Sequence, residues 1–397
     1  MDTVENATLR KYYQHDDSLT DGSSQAPIPL TQLYSPPSPH KVHPRANWVI
    51  EQVRQWLYPH LEQLGAEKLI KGIVDETASV CTYLYPNADD EGIFIATAFA
   101  TIQFINDDIF DSAATLKAIQ ATPSGQRLAR DLQKMRDTPH RLADGLVCAA
   151  RIMEDPSAYE ECREMMSDLE TDLFLLGAIY ELSTRMHSRG RRIDEKRFGG
   201  WLAKSCAAMK DFGKSHALIY SEAKEMTIEE YANHKLRNSG SIYTVLFVEM
   251  VTGNFLSDEQ NAIPQISQIQ EHCERLGSLL NEIFSYEKET FLENTNNLLA
   301  VLMREEKIGL YEAARRVAAM AQRHAQEIKR IREEIDKKYG DETDEDASLR
   351  LHVADMELFG AACWFWQLEG TKRYSSKTSP FVELRLAEVN PESESSI

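Results

Sequence analysis

The chain has 397 residues, 42% of them apolar and 27% charged, an ordinary globular balance that excludes wholesale disorder. Its net charge of −19 excludes a nucleic-acid partner, since a phosphodiester backbone needs a basic face. A small phosphorylated ligand stays open, provided that metal ions bring the positive charge.

Residues 1–43 are polar and rich in Ser, Pro and Asp, which reads as a flexible N-terminal arm. No apolar h-region opens the chain and no run of about 18 apolar residues follows, so the expectation is a soluble, cytoplasmic protein with no membrane span. Helical periodicity then runs almost unbroken. Segment 44–57 is amphipathic, with Val49, Val53 and Trp56 on one face. Segment 91–112 (EGIFIATAFATIQFINDDIFDS) is apolar nearly all round, as a central buried helix would be. Further helices are expected over 164–187, 197–222, 227–237, 241–252, 265–292, 294–304, 310–338 and 347–374. Residues 376–397 resemble the first stretch and read as a C-terminal tail. Strand alternation is missing, so the fold class is all-α, one helical domain over 44–375. Cys81, Cys148, Cys162, Cys206, Cys273 and Cys363 show neither zinc spacing nor close pairing and read as reduced, buried thiols.

Two acidic edges carry the chemistry. In Asn106-Asp107-Asp108-Ile109-Phe110-Asp111, a DDxxD pattern, Asp107 and Asp111 share a helix face and Asp108 lies about 100° away. Carboxylates capping an interior helix are costly unless they face a wet cavity or hold cations, and Mg²⁺ prefers carboxylates and water. In the second, Asn281, Ser285 and Glu289 fall at i, i+4 and i+8. They form one polar stripe of amide oxygen, hydroxyl and carboxylate, a three-point oxygen site for one Mg²⁺. Two further acidic runs lack this context. Asp16–Asp21 lies in the polar arm, and Asp341–Asp346 follows Gly340 and reads as an acidic loop.

These segments resemble the aspartate-rich motif and the N-D-x-x-S-x-x-K-E motif of class I terpene cyclases of the microbial type, known from bacteria, fungi and octocorals. Arg237, 44 residues before Asn281, is similar to the family's diphosphate-sensing arginine. Arg373-Tyr374, about 84 residues past Glu289, resembles its terminal Arg-Tyr pair. One departure is visible: Glu282 stands where the family usually has Asp, at a position that is not one of the three ligands.

The resemblance implies a single-domain class I terpenoid synthase bundle with a central cavity. It implies three Mg²⁺ ions, with Mn²⁺ able to substitute, and an isoprenyl diphosphate substrate. Asp107 would ligate the first pair, and Asp108 and Asp111 either ligate directly or hold arginine contacts. Asn281, Ser285 and Glu289 would take the third ion. Arg237, Lys288, Arg373 and Tyr374 would contact diphosphate. The helix break at Asn238-Ser239-Gly240-Ser241 would aim a backbone carbonyl into the cavity, with Gly240 as linker and Ser241 as effector, or with Gly240 itself as effector. Helical counting puts Phe104, Ala100 and Phe99 below Asp107, and Ser278 and Gly277 below Asn281. Trp366, seven residues before Arg373, then falls one level under the diphosphate.

The expected activity is Mg²⁺-dependent cyclisation of a linear isoprenyl diphosphate, geranylgeranyl or farnesyl diphosphate. The long tails and a loose likeness to octocoral cyclases favour the C20 substrate. The expected assembly is a monomer or a homodimer. The alternatives are a chain-elongating isoprenyl diphosphate synthase, which would carry a second helix-borne DDxxD, and a non-catalytic helical binding protein of the same fold.

Overall fold

The computed structural model describes residues 27–111, 113–221, 226–228, 230, 231, 235, 239–291, 297–340 and 343–386. Among these the chain is all-α, without a strand. The helices are α1 (Leu30–Leu33), α2 (Ala46–Glu62), α3 (Glu67–Thr77), α4 (Val80–Leu84), α5 (Asp90–Asp111), α6 (Ala113–Gln120), α7 (Gln126–Asp137), α8 (Pro139–Glu154) and α9 (Tyr159–Met165). After them come α10 (Leu176–Ser221), α11 (Ser241–Thr252), α12 (Asp258–Asn261), α13 (Pro264–Phe291), α14 (Leu298–Glu306), α15 (Leu310–Lys338) and α16 (Asp344–Phe365).

The central helix α5 runs among α2, α3, α4, α10 and α11. Its stretch Asp90–Phe110 is long and apolar enough by composition to cross a membrane, but 78% of the most apolar window is buried inside the fold. Apolar side chains all round are what an interior helix needs. Its N-terminus presses so closely on α11 that a Cβ at Gly92 would lie 2.2 Å from the Val251 carbonyl oxygen. On α2 the stripe Val49, Val53, Leu57 and Leu61 is fully buried. Trp56 sits off that stripe, half-buried, and its indole N–H donates to Glu181 (2.9 Å). α13 and α15 pack along their lengths, and Ala313, Ala314, Ala318 and Ala321 are the small buried residues that allow close approach. All six cysteines are buried and free.

Several expectations need correction. The helix expected over 164–187 begins only at Leu176, because Leu175 turns to a positive φ of 53° and Asp172 accepts the backbone N–H groups of Leu176 and Gly177 (2.8 and 3.0 Å). It then joins the expected 197–222 helix across a kink at Asp194. The acidic run before residue 347 is no loop where it is described: Thr343 caps α16 by accepting the Asp346 N–H (3.1 Å). Asp344, Glu345 and Asp346 sit in the first turn, where the helix dipole favours negative charge.

The helix expected to reach residue 374 ends at Phe365, and a π turn follows over Trp366–Gly370. Arg373 and Tyr374 therefore leave from a turn. Nor are the tails loose where they are described. Ile28 pairs with Phe381 in a parallel bridge, Glu383 accepts the N–H groups of Leu30 and Thr31 (2.8 and 3.1 Å), and Leu30, Tyr34 and Phe381 are buried in the main core. The arm and tail boundaries drawn at 43 and 376 thus cut through packed structure.

Candidate active site

A cavity of about 270 Å³ opens between α5, α11, α13 and the end of α16. Asp107 lines it from α5, while Asn281, Ser285, Lys288 and Glu289 line it from α13. Arg373 and Tyr374 complete the wall, and Phe104, Ala100, Gly277 and Trp366 lie on its lining. The two acidic edges, far apart in sequence, face one space.

The first edge is already paired. Asp108, buried, takes two bonds from the Arg373 guanidinium, one of them at 2.7 Å. It takes another from the Lys288 ammonium (2.6 Å). Burial alone would raise its carboxyl, but Arg373 and Lys288 overcome that and hold it at about 2. Arg373 also reaches the half-exposed Asp107 (3.1 Å). Of the two roles left open for Asp108, the arginine contact is the one made here. The side chain of Asp111 and all of Arg237 lie outside the described residues.

The second edge is different. The amide NH₂ of Asn281 donates to Gln367 (3.3 Å) and to the Tyr374 hydroxyl (3.2 Å), which leaves the carbonyl oxygen as the end available to a cation. Ser285 is buried and its hydroxyl makes no well-formed hydrogen bond, although it lies near enough to help hold the Glu289 carboxyl down. Burial pushes that carboxyl up to about 7, with Lys235, Asn297 and Ser285 working against it. A buried hydroxyl without a full partner beside a half-satisfied carboxylate fits a divalent cation with oxygen ligands.

Behind this edge sits a residue that the sequence reading set aside. Glu282 is buried and accepts from the Tyr231 hydroxyl (2.6 Å), the Leu298 N–H (2.5 Å) and the Lys235 ammonium (2.6 Å). It binds the segment just before Arg237 to α13 and to the start of α14. Lys235 lines the cavity. Burial would lower its ammonium, but Glu282 and Glu289 raise it. The Glu-for-Asp departure together with apolar Leu280 and Ile283 beside it was the available signal.

Some cavity assignments shift. Phe99 is core: it stacks on Phe247 (centroids 5.2 Å apart) and meets Tyr243 edge-on, one layer behind the lining. Ser278 is also off the lining, its hydroxyl donating to the Glu274 carbonyl (2.9 Å). Phe104 and Trp366 face each other at 5.5 Å, and Trp366 keeps its level under Tyr374 (6.2 Å, edge-on) despite the π turn. The break before α11 is real. Gly240 takes a left-handed φ of 63° and α11 starts at Ser241; both line the cavity. The Gly240 carbonyl accepts the N–H and hydroxyl of Thr244 (3.3 and 2.8 Å).

Comparison with known proteins identifies the family. The model of terpene synthase family 2, C-terminal metal binding, matches residues 98–327, a stretch that includes both acidic edges. (+)-Eremophilene synthase of Sorangium cellulosum (strain So ce56) is 27% identical over 68% of this chain and 88% of its own. Macrophomene synthase of Macrophomina phaseolina (strain MS6) is 29% identical over 28% of this chain, a match that spans only 17% of that protein. In fold, germacradien-4-ol synthase from Streptomyces citricolor superposes with a TM-score of 0.63 at 16% identity, covering 86% of this chain and 99% of that one.

Proposed function

Because the chain belongs to terpene synthase family 2 and is a class I terpene synthase, we propose that it ionises geranylgeranyl or farnesyl diphosphate with Mg²⁺ and cyclises the resulting cation in the cytoplasm. What carries this reading is that Asp107 and the Asn281/Ser285/Glu289 stripe line one cavity with Lys288 and Arg373 between them.

Asp107, with Asn281, Ser285 and Glu289 opposite, would hold the metal ions. When bound, those ions supply the positive charge that allows diphosphate to leave an allylic carbon. Arg373 and Lys288 hold Asp108 and stand at the cavity wall, where their positive charge suits diphosphate oxygens. Tyr374 accepts from Asn281, so its own proton is free to donate to the same anion. The C–O bond breaks with its electron pair going to diphosphate. The carbon chain then lies against Phe104 and Trp366, whose ring faces stabilise a cation by about 0.5–2 kcal/mol. Among the described residues no side chain stands out as the terminal base, and diphosphate itself can take the last proton. Incubation with C10, C15 and C20 diphosphates plus Mg²⁺, followed by gas chromatography, should give cyclic products from the C20 or C15 substrate. Release of no diphosphate from any of the three would overturn the reading.

The break before α11 would serve as linker and effector behind Arg237. A Cβ at Gly240 would meet the Tyr243 hydroxyl at 2.8 Å in a left-handed conformation, which costs an L-residue about 1–2 kcal/mol. Gly240→Ala should therefore lower kcat about tenfold with a smaller loss of Tm. Wild-type kinetics would sink this role.

A further inference from the structure

Asn106 has no place in the ligand sets above. It is buried, only 4% exposed, and it lines the cavity. Neither its Nδ2 nor its Oδ1 has a hydrogen-bond partner. Its neighbour Asp108 is bonded to both Arg373 and Lys288. Burying a donor and an acceptor unmade costs folding free energy, and leucine has the same branched outline, with somewhat larger methyl groups, without that cost. Packing alone gives no reason for an amide here.

Its position suggests the reason. Asn106 immediately precedes Asp107, and Gln103, three residues earlier on α5, lines the cavity too, so the two amides form a short polar strip at the level of the acidic edge. An amide is neutral. A carboxylate at this point would repel an anion, and an ammonium would pair with Asp107 beside it. A neutral group with one donating and one accepting end suits an anion surrounded by metal-bound water.

We propose that Asn106 is a diphosphate-binding residue, its Nδ2–H donating to a phosphoryl oxygen and its Oδ1 accepting from a water on the cation cluster. This rests on the function proposed above and adds a contact on the α5 side of the cavity, facing the cations of the opposite wall. The amide stays unsatisfied until the anion arrives, so stability is given up in the free protein for affinity in the complex.

The test pairs two measurements on the full chain: calorimetric titration with inorganic diphosphate in the presence of Mg²⁺, and thermal unfolding without ligand. Asn106→Leu should raise the ligand-free Tm by about 2 °C or more and weaken diphosphate binding about ten- to a hundredfold. Asn106→Asp should bind more weakly still. If leucine is not accommodated, Asn106→Ala carries the same expectation for affinity. Unchanged affinity in the leucine or alanine variant overturns the proposal. So does a leucine variant that folds with a lowered Tm, because the amide would then have a structural partner such as a buried water. A wild-type chain that binds no diphosphate with Mg²⁺ overturns the proposed function, and this contact with it.

Discussion

The two acidic edges face one cavity but are built on opposite terms. On α5 the buried Asp108 is fully matched by Arg373 and Lys288, and its carboxyl is held at about 2. On α13 the Ser285 hydroxyl lacks a full partner, and burial lifts Glu289 to about 7. One edge is neutralised by the protein's own cations. The other is left short of positive charge, with oxygen atoms already gathered. The difference marks where charge from outside is needed, and it explains how a chain of net charge −19 can hold an anion.

Removing the oxygen at the underfilled edge should break the arrangement most. Glu289→Ala is expected to lower kcat about a hundred- to a thousandfold with little loss of Tm, since it removes an unfavourable buried group. Equal losses of stability and activity would mean that Glu289 is structural. Next comes the matched edge. Arg373→Met leaves Asp108 with Lys288 alone, and breaking a buried pair costs roughly 3–5 kcal/mol, less what Lys288 recovers. A clear drop in Tm should accompany a loss of activity, which separates this variant from the first.

Glu282→Gln keeps an acceptor for Leu298 and Tyr231 but removes the charge that faces Lys235. As a residue that positions others, it should cost about tenfold in kcat/KM, with Glu282→Asp recovering part of it. The smallest effect belongs to neither edge. Burial, with a contribution from Lys204, pushes the His352 imidazole down to about 3. The unfolded chain takes up that proton below about 6.5, so stability is lost as pH falls through that window. Tm of His352→Met should decline less between pH 6.5 and pH 4 than that of wild type, which removes an acid sensitivity otherwise attributable to the site.

Much of this was legible in residue spacing. Asn281, Ser285 and Glu289 share a stripe because α13 is regular, and spacing fixes faces on a regular helix. Asp108 shows the other side of that rule: its 100° offset from Asp107 turns it onto Arg373 and Lys288. Where the helix stopped being regular, counting lost its grip. Arg373 and Tyr374 follow a π turn, and no periodicity announces one. Phe99 and Phe104 could not be told apart, because a helix apolar on every side carries no mark of which side faces a void. The polar arm misled for a related reason. Few apolar residues suffice to anchor a short strap, and Ile28, Leu30 and Tyr34 do so within a stretch whose composition reads as solvent-exposed.

That strap has a practical consequence. The segment after Tyr374 is clasped at two points. Ser376 and Thr378 donate to Glu287 on α13 (2.6 and 2.7 Å), and farther on Phe381 and Glu383 grip residues 28–31. The two ends of the described chain thus form a buckle whose tongue carries the Arg373–Tyr374 pair. Trimming the chain to begin at residue 44, as its polar composition invites, would strip Leu30 and Tyr34 from the core and open the buckle. The damage would surface in stability and also in catalysis, at a cavity that the deleted residues do not line.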